Sequence, residues 1–298
     1  MSNIEPFWSS HANAVHVEWN LGKRCNLDCS YCPAVIHDNY SPHTNIKVLL
    51  DTVDALVEIG KPIRLSLTGG EPCVHPNIEE LLDHAVQRLD WVTVTTNGTR
   101  TPKFYSELPV NYIVFSLHFE DQQWEKQVDT ITLFSQLNYN IHNIDFHVNI
   151  MAHHEHMDRV KAAEARFAGH QIKYVVRRIR WTEGDHDVFD DMRYDGKDLE
   201  WIISKSATVK PNVLFDGVPI HANDVIKEKR NNFKGWSCNA GLESLMVNWD
   251  GEVHRATCRV GGSLGNIYKG SFEPPEQAIV CTRNWCTCAA DIPLTKSL

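Results

Sequence analysis

The chain has 298 residues, enough for one large domain and a small appendage. Its formal net charge of −9 argues against a nucleic-acid partner, which needs a basic field; a local patch such as Arg177, Arg178 and Arg180 is the alternative. No run approaches the roughly 18 consecutive apolar residues of a membrane span, and the polar start from Met1 to Ala12 lacks a signal-peptide layout. The expectation is a cytoplasmic protein with no membrane or nucleic-acid partner.

Along the chain, strand and helix patterns alternate. Val15–Asn20 reads as a strand leading into a cysteine-rich loop. Ile46–Ile59 has apolar residues at helical spacing and ends at Gly60. Ile63–Thr68 is a strand closed by Gly69-Gly70, and Pro76 opens a helix to about Leu89. Trp91–Thr96 is a β-branched run ending in the turn signal Asn97-Gly98. Tyr112–Leu117, Ile144–Met151 and Ile172–Ile179 are further strands, with helices over about Asp121–Leu137 and His156–Phe167 between them. Six strands with helical crossovers predict an α/β fold with a parallel sheet, which places its chemistry at the C-terminal strand ends. Residues 181–235 read as a connecting segment with one helix over about Gly196–Ser204. From Trp236 on, Ser244–Val247 and Glu252–Thr257 flank Asp250-Gly251 as a hairpin, with Cys258 ending its second strand.

The nine cysteines form two groups with none between Cys73 and Cys238. An odd count without an export signal speaks against a disulfide framework and for metal binding. Cys25, Cys29 and Cys32 form C-x3-C-x2-C in a loop after the first strand. Three soft thiolates can hold three irons of a [4Fe–4S] cube and leave the fourth iron open to a cosubstrate. A zinc site closed by His16, His37 or His43 is the alternative. Thr68-Gly69-Gly70-Glu71-Pro72 follows at the next strand end; glycines let the backbone approach a ligand, and a carboxylate can pair with an ammonium group.

In these motifs the sequence resembles the radical S-adenosylmethionine (SAM) superfamily over residues 13–180. The resemblance implies a partial (β/α)6 barrel and a [4Fe–4S] cluster on Cys25, Cys29 and Cys32 whose open iron chelates SAM. It further implies reductive cleavage of SAM to a 5′-deoxyadenosyl radical that abstracts hydrogen from a substrate, with the electron coming from a flavodoxin- or ferredoxin-type donor. Tyr31 occupies the place of the family's aromatic near the adenine. Gly69, Gly70, Glu71 and Pro72 match the GGEP motif, with Glu71 on the SAM ammonium group. Asn97, Ser116, Asn149 and Arg178 are candidates for SAM or substrate contact; the alternative is a turn residue or an ordinary polar strand position.

Cys238, Cys258, Cys281, Cys286 and Cys288, with Asp250-Gly251 and Gly265-Asn266-Ile267, resemble the SPASM/twitch extension over residues 236–291. The resemblance implies one auxiliary [4Fe–4S] cluster, with Cys238 and Cys258 first, then Cys286 and Cys288, and Cys281 as alternate. A zinc ribbon and a [2Fe–2S] centre are the other readings. His118 and Glu120 are candidates for substrate contact or proton transfer, and Cys73 for hydrogen donation. His142, His147, His153, His154 and His156 read as mostly solvated, and 231–236 as a loop closing over the substrate. The functions implied are net oxidation of a small metabolite, such as a sugar or amino-acid derivative, or maturation of a ribosomal peptide. A non-catalytic zinc or iron–sulfur module is the reading from another class.

Overall fold

Apolar residues alternate with polar ones along six strands because each strand presents one side chain to covering helices and the next to an open interior. The computed structural model describes residues 2–7, 13–141, 144–179, 181–183, 186–188, 193–206 and 210–298. After β1 (Asn3–Pro6) come β2 (Val15–Asn20), β3 (Ile63–Thr68), β4 (Trp91–Thr96), β5 (Tyr112–Leu117), β6 (Asp145–Ala152) and β7 (Tyr174–Arg178). These last six pair in parallel in chain order. Helices α1 (Ile46–Val57), α2 (Ile78–Val86), α3 (Pro102–Glu107), α4 (Trp124–Ile141) and α5 (Met157–Gly169) lie between them. The expected parallel α/β sheet is present. The expected helix from Pro76 instead begins at Ile78, because Pro72–Val74 forms a short 3-10 turn first.

The outward positions make the core. Val17, Trp19, Leu65, Leu67, Val94, Phe115 and Ile150 are buried among Leu49, Val53 and Leu56 of α1 and the other helices. Each such burial contributes about 1.5–3 kcal/mol. Asn45 caps α1 by accepting from the Lys47 amide at 2.9 Å. The intervening positions, Glu18, Asn20, Ser66, Thr68, Thr95 and Ser116, face inward and line the cavities described below.

Beyond the barrel strands the chain forms the hairpin β8 (Trp181–Glu183) and β9 (His186–Val188), then α6 (Gly196–Ser206), β10 (Val213–Phe215), β11 (Val218–Ile220) and α7 (Ala222–Lys227). Next come β12 (Ser237–Cys238), β13 (Ser244–Val247), β14 (Glu252–His254), β15 (Ser263–Asn266), β16 (Ile279–Val280) and β17 (Lys296–Ser297). The expected hairpin is β13–β14, and β13 continues the main sheet by pairing in parallel with β2. The second strand stops at His254, so Cys258 sits in the turn after it rather than at its end. The Trp19 indole donates to the Tyr268 hydroxyl at 3.1 Å, joining the two regions.

A second sheet, in the order β11-β10-β1-β17-β12-β16, uses both ends of the chain. Its strands are two to four residues long and carry no periodic signal, so the sequence did not reveal it.

Candidate functional site

A cavity of about 460 Å³ opens at the C-terminal ends of the barrel strands. Cys25, Cys29, Cys32, Tyr31, Gly69, Gly70, Glu71, Asn97, Ser116 and His118 all line it, together with Glu18, Met246 and Arg259. The strand-end placement therefore gathers the motifs as the fold class requires.

The cysteine loop is held by its backbone. The Cys25 amide donates to the Asp38 carbonyl at 2.7 Å, and the Asp38 amide to the Lys23 carbonyl at 2.9 Å. Lys23 and Asp38 also form an ion pair at 3.2 Å. Asn97 reaches in from the end of β4, donating to Asn26 Oδ1 at 2.8 Å and toward Cys25 Sγ at 3.8 Å. The three thiols are half-buried and remain close enough to repel as thiolates. Burial, then Glu120 and the neighbouring thiols, push Cys29 up to about 12. Burial, then Cys25 and Asp28, push Cys32 up to about 11. Such thiols need positive charge to ionise, which iron supplies. Three open thiols on one loop, facing a cavity, fit a cluster with one free corner.

Of the proposed fourth zinc ligands, His37 lines the cavity with the three thiols, but its Nε2 bonds the Leu27 carbonyl at 2.7 Å; His43 packs against the His75 ring, and His16 lines a different cavity.

Gly69 and Gly70 make a close approach, but to protein. A Cβ on Gly70 would sit 2.2 Å from the Arg24 carbonyl oxygen, and one on Gly69 2.9 Å from the Gly22 carbonyl oxygen. The Glu71 amide then donates to the Arg24 carbonyl at 2.8 Å. The glycines thus weld the β3 end to the cysteine loop.

The Glu71 side chain lines the cavity and also has partners within the protein. Its carboxyl accepts from the Cys73 amide at 2.9 Å, the Thr96 hydroxyl at 2.7 Å and the Asn97 amide at 2.6 Å. Those contacts clamp the β3 end to β4 at the cavity wall, where the carboxyl was expected to meet the SAM ammonium group. Burial raises its pKa, and these donors oppose the shift.

Other candidates separate. Tyr31 bonds His118 Nδ1, and their rings stack at 6.0 Å. Burial lowers His118 to about 4, so its imidazole is neutral near pH 7. Glu120 is not in the cavity wall; it accepts from the Ser30 amide at 2.9 Å and braces the cysteine loop. Cys73 and Pro72 are buried in or beside the core, so Cys73 is not placed to donate hydrogen into the cavity. Asn149 bonds Arg177 Nε at 2.6 Å, outside the cavity wall. Arg178 alternates with Arg177 along β7 and shares the parity of buried Val176, so Arg177 is the arginine beside Asn149.

Among the histidines, His153 is buried, contrary to the solvated reading, and lies 3.7 Å from Glu120. His142 and Arg180 lie outside the described residues. Segment 231–236 packs under the C-terminal cysteines instead of closing over the first cavity: Asn231 Nδ2 donates to the Cys286 carbonyl at 3.0 Å, and Phe233 is buried.

In the C-terminal region Cys238, Cys258, Cys281 and Cys286 line one small cavity, with Asp291 and Lys296. Cys281 is held by its amide to the Trp236 carbonyl at 2.8 Å, and Cys286 by its amide to the Asn231 carbonyl at 2.9 Å. Cys288 is not in that wall; its thiol lies by Thr257 and Asp291. Cys281, the alternate in the sequence reading, thus lines the cavity that Cys288 does not. Burial raises Cys238, Cys258 and Cys286, with Cys258 reaching about 12. Among the described residues no three His, Cys, Asp or Glu side chains converge on a single metal ion.

Between the two thiol groups lies a second cavity of about 380 Å³, lined by His16, Arg64, Ser66, Thr257 and Asp291 among others. Glu18 lines both this cavity and the first. Sequence reasoning missed Glu18, Met246 and Arg259. The alternation within Val15–Asn20 points Glu18 inward and could have found it; Arg259 follows a turn that carries no pattern.

Residues 19–131 match the Radical SAM superfamily, which uses a [4Fe–4S] cluster and SAM. The chain is 25% identical over 281 residues to the antilisterial bacteriocin subtilosin biosynthesis protein AlbA of Bacillus subtilis (strain 168), covering 87% of this chain and 58% of that one. It is 30% identical over 196 residues to a GTP 3′,8-cyclase of Brucella abortus (strain S19), covering 62% and 54%. The chain thus spans between a third and three fifths of the curated relatives it matches. In fold it is similar to anSMEcpe with bound AdoMet (TM-score 0.55, 16% identity, 88% of this chain and 80% of that). It is equally similar to Streptococcus suis SuiB bound to S-adenosylmethionine (TM-score 0.55, 15% identity, 87% and 64%). No helix among the described residues is long and apolar enough to cross a membrane. With the cysteine triad and the glycine-welded strand end at one cavity, residues 19–131 are a radical SAM superfamily domain.

Proposed function

We propose that this chain is a radical SAM enzyme that oxidises a peptide or peptide-like substrate, using a second iron–sulfur cluster as electron acceptor. When bound, the cluster on Cys25, Cys29 and Cys32 with SAM supplies a 5′-deoxyadenosyl radical that abstracts a hydrogen atom from the substrate. The observation that carries the reading is the convergence of the three half-buried thiols with Tyr31, Gly69, Gly70, Asn97, Ser116 and His118 on one cavity. Asn97 steadies the cysteine loop through Asn26, and Glu71 holds the β3 and β4 ends in register. Neutral His118 fixes the Tyr31 ring in the wall.

The C-terminal region reads as a twitch-like extension. Its cluster would be held by Cys238, Cys258, Cys281 and Cys286, four thiols that fill one [4Fe–4S] centre with no open corner. Cys288 is left outside this set. A closed centre suits electron transfer better than substrate binding, which favours net oxidation. A flavodoxin- or ferredoxin-type donor would supply the first electron.

Resemblance to a bacteriocin biosynthesis protein over most of this chain supports a peptide. The second cavity, which shares Glu18 with the first, offers room for substrate beyond the reacting carbon. The similarity to GTP 3′,8-cyclases is the observation that favours the small-metabolite reading. The test is anaerobic incubation with SAM, dithionite and candidate peptides encoded near the gene. Formation of 5′-deoxyadenosine together with a peptide product two mass units lighter supports the proposal. SAM cleavage with no change in any peptide, but turnover of a nucleotide or sugar, would move it to the small-metabolite reading.

A further inference from the structure

Lys296 is a buried cation inside the C-terminal thiol cage. It is 2% exposed, and its ammonium donates to the carbonyls of Asp291, Ile292 and Leu294 at 2.6, 3.0 and 3.0 Å. Three acceptors match the three N–H groups of a charged ammonium. Lys296 lies directly opposite Cys238 in the β12–β17 pair, and opposite Ile4 of β1 on its other side. Residues paired across antiparallel strands share a face. The side chain accordingly lines the same small cavity as Cys238, Cys258, Cys281 and Cys286, with its charge 5.3 Å from the centre of the Phe233 ring.

A fully buried lysine is rare unless it is paired. Here no carboxylate forms an ion pair with it among the described residues, and the nearest acid in the cavity wall is Asp291. The Asp291 carboxyl accepts through Oδ2 from the Thr257 hydroxyl at 2.6 Å and the Cys258 amide at 2.9 Å, while Oδ1 has no hydrogen-bond partner. Three backbone carbonyls could have been satisfied by amides or water at far less cost than a desolvated charge.

We propose that Lys296 sets the reduction potential of the centre held by these four cysteines, acting as a fixed positive charge that makes the centre a better electron acceptor, with Asp291 as the opposing negative charge. This rests on the reading of an auxiliary cluster given above. Reduction adds one electron to the centre and makes or breaks no bond; a nearby cation stabilises the more negative, reduced state through the low-dielectric interior. Lys296 is a positioning residue in this sense: it touches neither SAM nor substrate.

The experiment is a redox titration of the anaerobically reconstituted full chain, following each cluster by electron paramagnetic resonance, for wild type, Lys296→Gln, Lys296→Arg and Asp291→Asn. Lys296→Gln should make reduction of the C-terminal centre about tenfold less favourable, which is a fall of about 59 mV for one electron. Lys296→Arg, which keeps the charge, should stay near wild type. Asp291→Asn should move the potential the other way, about tenfold toward reduction. The N-terminal cluster should not move in any variant. A merely structural lysine predicts a less stable Lys296→Gln protein whose potential is unchanged, and that result overturns the inference. If Lys296→Gln fails to fold, Asp291→Asn decides: an unshifted or lowered potential overturns it. A wild-type chain with only the N-terminal cluster overturns the auxiliary-cluster reading and this inference together, whereas two clusters with unshifted variants overturn this inference alone.

Discussion

The two cysteine groups are assembled in opposite ways. Cys25, Cys29 and Cys32 come from a single loop, are half-buried, and face a cavity of about 460 Å³. Cys238, Cys258 and the Cys281/Cys286 pair come from three separate segments and converge on a cavity too small for a substrate, with three of the four thiols buried. On the proposed function, the first arrangement would leave coordination open to a ligand and the second would close it. A local loop can be built around a cosubstrate because neighbouring strand ends remain free to line the space. A cage drawn from distant segments needs the fold itself to close, and here a sheet made from both chain ends does so.

The sharpest way to break the contrast is to remove the open triad. Cys25→Ala/Cys29→Ala/Cys32→Ala should abolish 5′-deoxyadenosine formation and lower bound iron from about eight to about four per chain. Retained SAM cleavage would mean that the C-terminal centre, not the triad, binds SAM. The complementary pair is Cys281→Ser against Cys288→Ser. The first should lose the C-terminal centre, about half of the iron, and the second should keep it, as iron analysis and absorbance near 400 nm after reconstitution would read. The reverse outcome would restore Cys288 as ligand and mean that the cage rearranges around its metal.

Much of the open site was legible because its information is local. Strands over Ile63–Thr68, Trp91–Thr96 and Tyr112–Leu117 match the structure end to end, and the thiol triad needs only one loop. At the C-terminal site the sequence pointed to Cys238, Cys258 and Cys286 but ranked Cys288 ahead of Cys281, which lines the cavity. Which four meet depends on β12, β16 and β17, two residues each, whose pairing is decided by tertiary contacts and not by pattern. Glu71 shows a third case. The motif marks the right place, but a carboxylate that caps a turn and one that binds a ligand look identical in sequence.

That distinction can be tested by stability. Glu71→Ala leaves the Thr96 hydroxyl and the Cys73 and Asn97 amides without their acceptor in a buried site. Unmade buried hydrogen bonds cost about 1–3 kcal/mol each, so a loss of about 4 kcal/mol is expected, seen as a lower melting temperature before SAM is added. Glu71→Gln should recover part of it, since an amide oxygen can still accept. An Ala variant as stable as wild type but weak in SAM binding would return Glu71 to the ammonium-pairing role.

Glu18 sits where the two regions meet, and its titration gives the smallest and most conditional signal. It lies on β2 between the cofactor cavity and the second cavity, with Asp291 across the latter and His16, Arg64 and Arg259 among the charged or titratable neighbours in the two walls. Burial, then the negative charge of Asp291, raises its pKa from 4.5 to about 7. An acid whose folded pKa lies above its unfolded value binds its proton more tightly when folded. Its stabilising contribution is complete below about pH 4.5 and is lost as pH rises through about 7. At 1.36 kcal/mol per pKa unit, the wild type should lose about 3 kcal/mol across that window from this group. Glu18→Gln keeps the shape and cannot ionise, so the gap between the two proteins should open in that window, with the variant melting higher above pH 7 by several degrees. Parallel melting curves for the two from pH 5 to 8 would show that Glu18 ionises as freely in the folded chain as in water, and that neither burial nor Asp291 holds its proton.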